Sequence, residues 1–246
     1  MAEVFIKNTA FYNTESASYS RSRYPDIPQT YTQSFFRRRL QLSLKALRRA
    51  LGHDPRGLSL LEVGCADGVV MRAVDAALPG AFSQMVGVDI AEKMIEVARA
   101  ETPLPHAEFH VRSAYASPER FDVELELGVV NYVMLEDELR YAKEHLKDGG
   151  IYILSMAGTD SIFNKIKGGG EKSRDLRTYW ECESLIQAQF TIVEAHGYGF
   201  FVPYLWRAPV FARLMQPFVE VIANAFFKNL CHEKLYVLKP LAARGA

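Results

Sequence analysis

Two carboxylates and two glycines stand at spacings that can hold a nucleoside. Leu60-Leu61-Glu62-Val63-Gly64-Cys65-Ala66-Asp67-Gly68 runs an apolar stretch into a turn, and Asp89 follows 21 positions after Gly68. Glycine at 64 and 68 lets the backbone turn tightly and approach a ligand without a Cβ in the way. A helix after such a turn offers free N–H groups at its start. A carboxylate closing the next strand can accept hydrogen bonds from both hydroxyls of a ribose. The dinucleotide fingerprint G-x-G-x-x-G is not met, because residue 66 is alanine and the spacing is G-x-x-x-G. Glu62, just before the loop, would repel a pyrophosphate and attract a cationic amino-acid group. A cofactor carrying an amine and a sulfonium is therefore favoured over one carrying phosphates. No G-x-x-x-x-G-K-[ST] loop is present.

These residues need a strand–turn–helix frame, and the chain supplies one. Stretches 58–64, 82–90, 107–114, 121–130, 151–156, 190–201 and 235–238 read as strands. Helix-like stretches 67–78, 91–100, 136–146 and 178–189 fall between them, the third stopped by Gly149-Gly150 and the last opened by the capping box Thr178-x-x-Glu181. Alternating strands and helices predict an α/β, doubly wound, mostly parallel sheet. The 246 residues are 49% apolar and 24% charged, the range of a folded globular domain. Twenty-nine basic residues balance 29 acidic ones, so no global field draws nucleic acid or an anionic membrane. Three cysteines without a C-x-x-C disfavour a disulfide scaffold or zinc site and fit a reducing, cytoplasmic setting. The start of the chain does not read as a secretory signal, and no apolar run is long enough for a transmembrane segment.

Two helical stretches lie outside the alternation. Stretch 33–51 places Phe36, Leu40, Leu44, Leu47 and Leu51 on one face, with Arg37, Arg38, Lys45, Arg48 and Arg49 mostly opposite. Stretch 210–226 carries an apolar stripe from Val210 to Phe226, with Pro217 expected to kink it. Its polar side is not strongly cationic, which argues against a membrane-surface helix. The stripe suits a cover for a hydrophobic acceptor, a homodimer interface or ordinary core. Stretch 164–173, with Gly168-Gly169-Gly170, reads as the most loop-like segment.

LLEVGCADG followed by VGVDIAEKMIEVAR resembles motif I and the acidic partner of class I S-adenosylmethionine-dependent methyltransferases. Phe121 to Val129 resembles the family's fourth strand, Leu146-Lys147-Asp148-Gly149-Gly150-Ile151 its turn into the fifth, and FYNTESASYSRSRYP the N-terminal lid of small-molecule members. The resemblance implies a Rossmann-like seven-stranded sheet in the order 3-2-1-4-5-7-6 with helical lid elements. It divides the chain into a lid and basic helix (1–52) and a methyltransferase core (53–246) with a helical insert at about 202–230. Carried over by position, Glu62 faces the methionine amine, and Gly64, Cys65, Ala66 and Gly68 wrap the methionine. Asp89 holds the ribose, while Ile90 and Met94 pack on the adenine. Ser113 and Ala114 meet the adenine amino edge and Leu127 lines the methionine. Tyr19 and Arg23 reach its carboxylate. Ala66 stands where glycine is usual, tolerable if its φ is negative. Ser113 stands where Asp is usual, and Gln189 replaces a glycine.

Methyl transfer needs alignment of the acceptor more than a reactive protein group, though an alcohol benefits from a base. Asn131 and Tyr132, after the fourth strand, and His196, late in the sixth, are the candidates. His106, Glu108 and His110 alternate along a strand, but with no fourth ligand in view no metal site is expected. The basic helix can meet an anionic acceptor, yet the neutral chain disfavours nucleic acid. The reading is a cytoplasmic enzyme that methylates a small-molecule acceptor in biosynthesis: a natural product, sugar or lipid-linked glycan. O-methylation is placed ahead of N- or C-methylation of a small molecule or macromolecule. The rival from another class is a non-catalytic module that binds S-adenosylmethionine.

Overall fold

The structure, a computed structural model, describes residues 2–112, 119–167 and 177–242, with backbone alone at 2–8, 131, 164 and 167. The strands are β1 (Leu58–Val63), β2 (Phe82–Asp89), β3 (Ala107–Val111), β4 (Phe121–Leu127), β5 (Leu146–Ala157), β6 (Phe190–Tyr198) and β7 (Glu233–Pro240). They form one sheet in the order β3-β2-β1-β4-β5-β7-β6, as expected, with β7 antiparallel to both its neighbours. The helices are α1 (Ala2–Glu15), α2 (Tyr19–Arg23), α3 (Tyr31–Leu51), α4 (Val69–Ala77), α5 (Glu92–Glu101), α6 (Leu135–His145), α7 (Ile162–Lys167), α8 (Tyr179–Gln187) and α9 (Pro209–Phe226).

Both faces of the sheet are covered, which is why its strands read as continuous apolar runs. Along β5, Ile151 and Ile153 pack with Leu47 of α3 and Met71 of α4, while Tyr152 and Leu154 pack with Leu139 of α6 and Ile186 of α8. Alternate residues of a strand point to opposite faces, so one strand serves both cores. Thr30 caps α3 by accepting from the Gln33 N–H (3.3 Å), and Thr178 and Glu181 form the expected capping box on α8.

Several boundaries differ from the sequence reading: among them β4 ends at Leu127 and not at 130, and β7 starts at Glu233 and not at 235. The helix expected over 136–146 ends at His145, and Gly149-Gly150 lies inside β5. Pairing there jumps from Phe121↔Leu146 to Val123↔Ile151, a bulge that the positive φ of Gly149 permits. The glycine pair bends a strand and does not end a helix. The segment 2–15, expected only as part of a lid, forms α1. β6 ends at Tyr198, and α9 runs unbroken through Pro217. The third-strand end at 113–114 and most of the 164–173 loop lie outside the described residues.

Candidate functional site

The strand ends bring the motif residues together. Asp89 closes β2, and its Oδ2 and Oδ1 accept from the backbone N–H groups of Ala66 (3.0 Å) and Ala91 (2.8 Å). Burial pushes its pKa up, while the N–H groups of Ala91, Ala66 and Ile90 pull the other way. Glu62 lies in β1 between Gly87 of β2 and Leu125 of β4. It is buried, and its Oε2 has no partner among the described residues. Burial drives its carboxyl well above the usual range, and the Asp67 and Asp89 carboxylates add to that. Arg39 and Arg72 oppose the shift.

Gly64 and Gly68 have φ of 69° and 77°, a region glycine enters freely. A Cβ on Gly64 would lie 2.2 Å from Cγ2 of Val129, so the turn sits hard against the loop after β4. The condition placed on Ala66 is not met: its φ is +47°. Its N–H bond to Asp89 holds it there, at a steric cost of about 1–2 kcal/mol for a residue with a Cβ.

The N-terminal segment closes over this turn. The N–H of Ser20 donates to Asp67 Oδ2 (3.0 Å), and its hydroxyl bonds the same oxygen. The Lys93 N–H donates to Asn13 Oδ1 (3.1 Å). Tyr12 and Tyr19 pack against Ala66, Ala91 and the fully buried Met94. The Tyr12 and Tyr132 hydroxyls are hydrogen-bonded at 3.1 Å, joining the lid to the loop after β4. Arg23 donates to Glu15 (3.1 Å) and lies over the Tyr19 ring at 4.3 Å. Ile90 is half-buried beside Asp89, and Leu127 is buried at the end of β4. Cys65 is buried, its thiol pushed well up first by burial and then by Glu62 and Asp89. The side chain of Asn131, and Ser113 and Ala114 altogether, lie outside the described residues.

Three carboxylates and one orphaned oxygen around a backbone-lined turn fit a ligand that offers hydroxyls and an ammonium group. They do not fit a diphosphate, which would add negative charge to the cluster. The residues present thus match a nucleoside joined to an amino acid.

A second group of residues, without any motif, gathers beside the first. Because β7 is antiparallel, its start lies at the edge where β4 and β5 end, and Glu233 pairs with Ala157. Glu233 stands 3.8 Å from the buried Arg39 guanidinium and accepts from Tyr198 and Ser155 hydroxyls. A Cβ on Gly128, the residue after β4, would lie 2.3 Å from Arg39 Nη1. Next to Glu233, the His232 ring is stacked between Phe35 (4.3 Å) and Phe163 (4.1 Å). Burial pushes His232 down to about 4. Its Nδ1 lies 3.2 Å from the Tyr31 hydroxyl, whose one proton goes to the Gly199 carbonyl at 2.6 Å. Tyr31 therefore accepts from Nδ1–H, and Nε2 of the neutral ring carries a free lone pair. Burial raises the phenols of Tyr12, Tyr19, Tyr24 and Tyr31, so these hydroxyls donate and do not act as bases.

His196, expected as a candidate base, is not brought here. Its Nε2 bonds Glu220 (2.9 Å), where it helps dock α9. His106 bonds Asp75 and His110 bonds Glu108, two separate pairs. Sequence reasoning missed Arg39, His232 and Glu233. The first lies beside the expected leucine face of the basic helix, on the side with Phe35, Leu42, Ser43 and Ala46 that the structure buries instead, and the other two stand at the start of an ordinary apolar strand. Only the reversal of β7 carries them to the site. Tyr12 was legible only as part of the lid-like segment.

Residues 61–152 match a family model described as a methyltransferase domain. No curated protein matches the chain. Among solved structures, the chain is similar to geranyl diphosphate C-methyltransferase from Streptomyces coelicolor A3(2), in complex with magnesium, geranyl diphosphate and S-adenosyl-L-homocysteine. The TM-score is 0.67 at 14% identity, over 97% of this chain and 98% of that one. Magnesium protoporphyrin IX methyltransferase from Synechocystis PCC 6803 matches with a TM-score of 0.62 at 15% identity, over 96% and 99% of the two chains. A cyclopropane synthase from Mycobacterium tuberculosis matches at 0.58 and 16%, over 87% and 86%. At these identities the likeness is one of fold.

Proposed function

We propose that the chain is a class I S-adenosylmethionine-dependent methyltransferase, as its methyltransferase-domain match over 61–152 and its fold support, and that it O-methylates a small, largely apolar acceptor. The observation that carries the acceptor reading is the half-buried His232 ring, stacked between Phe35 and Phe163 with its Nδ1 at the Tyr31 hydroxyl, which leaves Nε2 to accept a proton. When bound, S-adenosylmethionine supplies an electrophilic methyl group. Glu62 accepts from the methionine ammonium and Asp89 from the ribose hydroxyls. Gly64, Cys65, Ala66 and Gly68 line the turn with backbone, and Ile90 and Met94 flank the adenine. Leu127 borders the methionine side. In this reading residues 1–52 serve as lid and basic helix, and 53–246 as the core.

Tyr12, Tyr19 and Tyr132 close the site and keep water out, which protects the cofactor from hydrolysis and strengthens the interactions inside. Tyr132 lends its hydroxyl to the lid and does not serve as the base. His232 takes the acceptor's proton on Nε2, and the bond from Nδ1–H to Tyr31 holds the ring in that tautomer. The apolar surroundings favour an acceptor whose bulk is hydrocarbon or aromatic and whose reacting group is a hydroxyl. The names of the fold relatives, a geranyl diphosphate C-methyltransferase and a magnesium protoporphyrin IX methyltransferase, accord with the apolar bulk of such an acceptor and not with its reacting group.

Calorimetry of S-adenosylhomocysteine against wild type and Asp89→Ala, with NAD as control, tests the cofactor assignment. Binding should weaken at least tenfold in the variant, and NAD should not bind. Methyl transfer to a panel of apolar alcohols, phenols and amines tests the acceptor class. Turnover confined to amines, or unchanged in His232→Ala, would overturn the O-methylation reading.

A further inference from the structure

α9 sits on the protein the wrong way round for a helix of a water-soluble surface. Its polar residues face inward. Glu220 is bonded by Arg38 Nε (2.9 Å) and His196. Asn224 bonds both the N–H (3.0 Å) and the carbonyl (2.8 Å) of Gly197. Arg213 donates to the Pro28 carbonyl at 2.8 Å. The small Ala212 and Ala223 are buried beneath it. Phe211, Leu214, Phe218, Val221, Ile222 and Phe226 are left outward, each between 55% and 76% exposed. A contiguous apolar face of this kind marks a binding surface.

The charges around that face say what covers it. Glu220 is the one carboxylate between residues 202 and 228, and it is turned inward. The exposed cations are Arg207 and Lys228, one beyond each end of α9. The Arg38–Glu220 pair sets α3 alongside, and α3 carries Arg37 and Lys45 with no acidic residue from Ile27 to His53. Of the acidic residues nearby, Glu194 is paired with Arg49, and Asp26 stands exposed next to Ile27. A second copy meeting this face by a two-fold axis would set Arg207 against the partner's Lys228, like charge against like. An anionic bilayer offers the opposite: hydrocarbon for the stripe and phosphate for the flanking cations. The weakly cationic polar side that argued against a membrane surface is instead turned into the protein, leaving α3 and the two ends of α9 to supply the charge.

We propose that α9 is an interfacial membrane anchor, lying in the headgroup layer with its phenylalanines in the acyl region and the cations of α3 toward anionic lipid. The 199–232 insert leaves β6 and enters β7 at the same edge as His232 and Glu233. Docking therefore sets the methyl-transfer site at the membrane surface, where an apolar acceptor is dissolved. That last step rests on the proposed acceptor class; the docking itself does not.

The test is flotation with vesicles of phosphatidylcholine alone and of phosphatidylcholine mixed with phosphatidylglycerol. The wild type should float with the mixed vesicles, less with the neutral ones, and less again in high salt. Phe211→Ser/Phe218→Ser/Phe226→Ser should weaken partitioning about a hundredfold. Its affinity for S-adenosylhomocysteine should not change, because the substituted side chains face solvent. A wild type that stays in solution as a monomer overturns the proposal. So does one that ignores vesicles and sediments as a dimer dissociated by the triple variant, which would make the face a homodimer interface. Loss of S-adenosylhomocysteine binding in the wild type would sink the cofactor assignment and leave the vesicle result standing by itself.

Discussion

Glu62→Gln should separate what stabilises this protein from what makes it bind. Glu62 is buried, its Oε2 has no donor among the described residues, and Asp67 and Asp89 both raise its pKa after burial has done so. An unfolded glutamate ionises near about pH 4.3. Above that pH the folded chain holds the proton longer than the unfolded chain does, so the wild type loses stability as pH rises through the folded pKa. While the folded form stays protonated, the loss is about 1.4 kcal/mol per pH unit. Glutamine does not titrate. From about pH 5 to about pH 7 the variant should gain on the wild type as pH rises, seen as a widening difference in Tm. The same change removes the carboxylate that meets the methionine ammonium. A charge-assisted hydrogen bond of about 1.5–3 kcal/mol should disappear, weakening S-adenosylhomocysteine about 10- to 150-fold. Thermal melts of the free protein across that pH range, with calorimetry at its upper end, measure both effects. A stability difference that does not change with pH, or an unchanged affinity, would refute the reasoning.

Three further outcomes are expected. With His232 held down near about 4, kcat/KM should be flat above about pH 6 and fall as pH drops through the histidine's pKa; His232→Ala should lower kcat about 10²- to 10⁴-fold. Ala66→Gly should relieve about 1–2 kcal/mol of left-handed strain and return somewhat less as unfolded-chain entropy, so Tm should rise by about 1–4 °C in a thermal melt. Gly64→Ala combines a forbidden φ with a contact on Val129, and chemical denaturation should show a loss of about 2–4 kcal/mol.

How much was legible depended on whether the signal was local. The stretch from Leu58 to Asp89 was readable because its chemistry lies within one β-turn-α-β unit, and sequence order there is spatial order. The capping box at Thr178 was readable for the same reason. Gly149-Gly150 misled because a glycine pair stops a helix and bends a strand equally well. Only the pairing of Phe121 with Leu146 and Val123 with Ile151 chooses between them. His196 was an attractive candidate base by its place near a strand end. The side chain that met it, Glu220, comes from a helix 24 residues on.

The sequence by itself determined the alternation of strands and helices, the glycine-bearing turn after the first strand, and the two carboxylates that favour a nucleoside with a cationic tail. It determined too that the segment from Val210 to Phe226 is amphipathic. It could not say which side of that helix faces the protein, because a stripe has a direction only once something lies against it. The direction was decided by Arg38, His196 and Gly197, which satisfy Glu220 and Asn224 and so turn the polar side inward. Tertiary structure likewise placed His232, Glu233 and Arg39 at the site. Reversing one strand at the sheet edge carries its first residues to the end where the parallel strands finish, and no local pattern in the chain encodes that reversal.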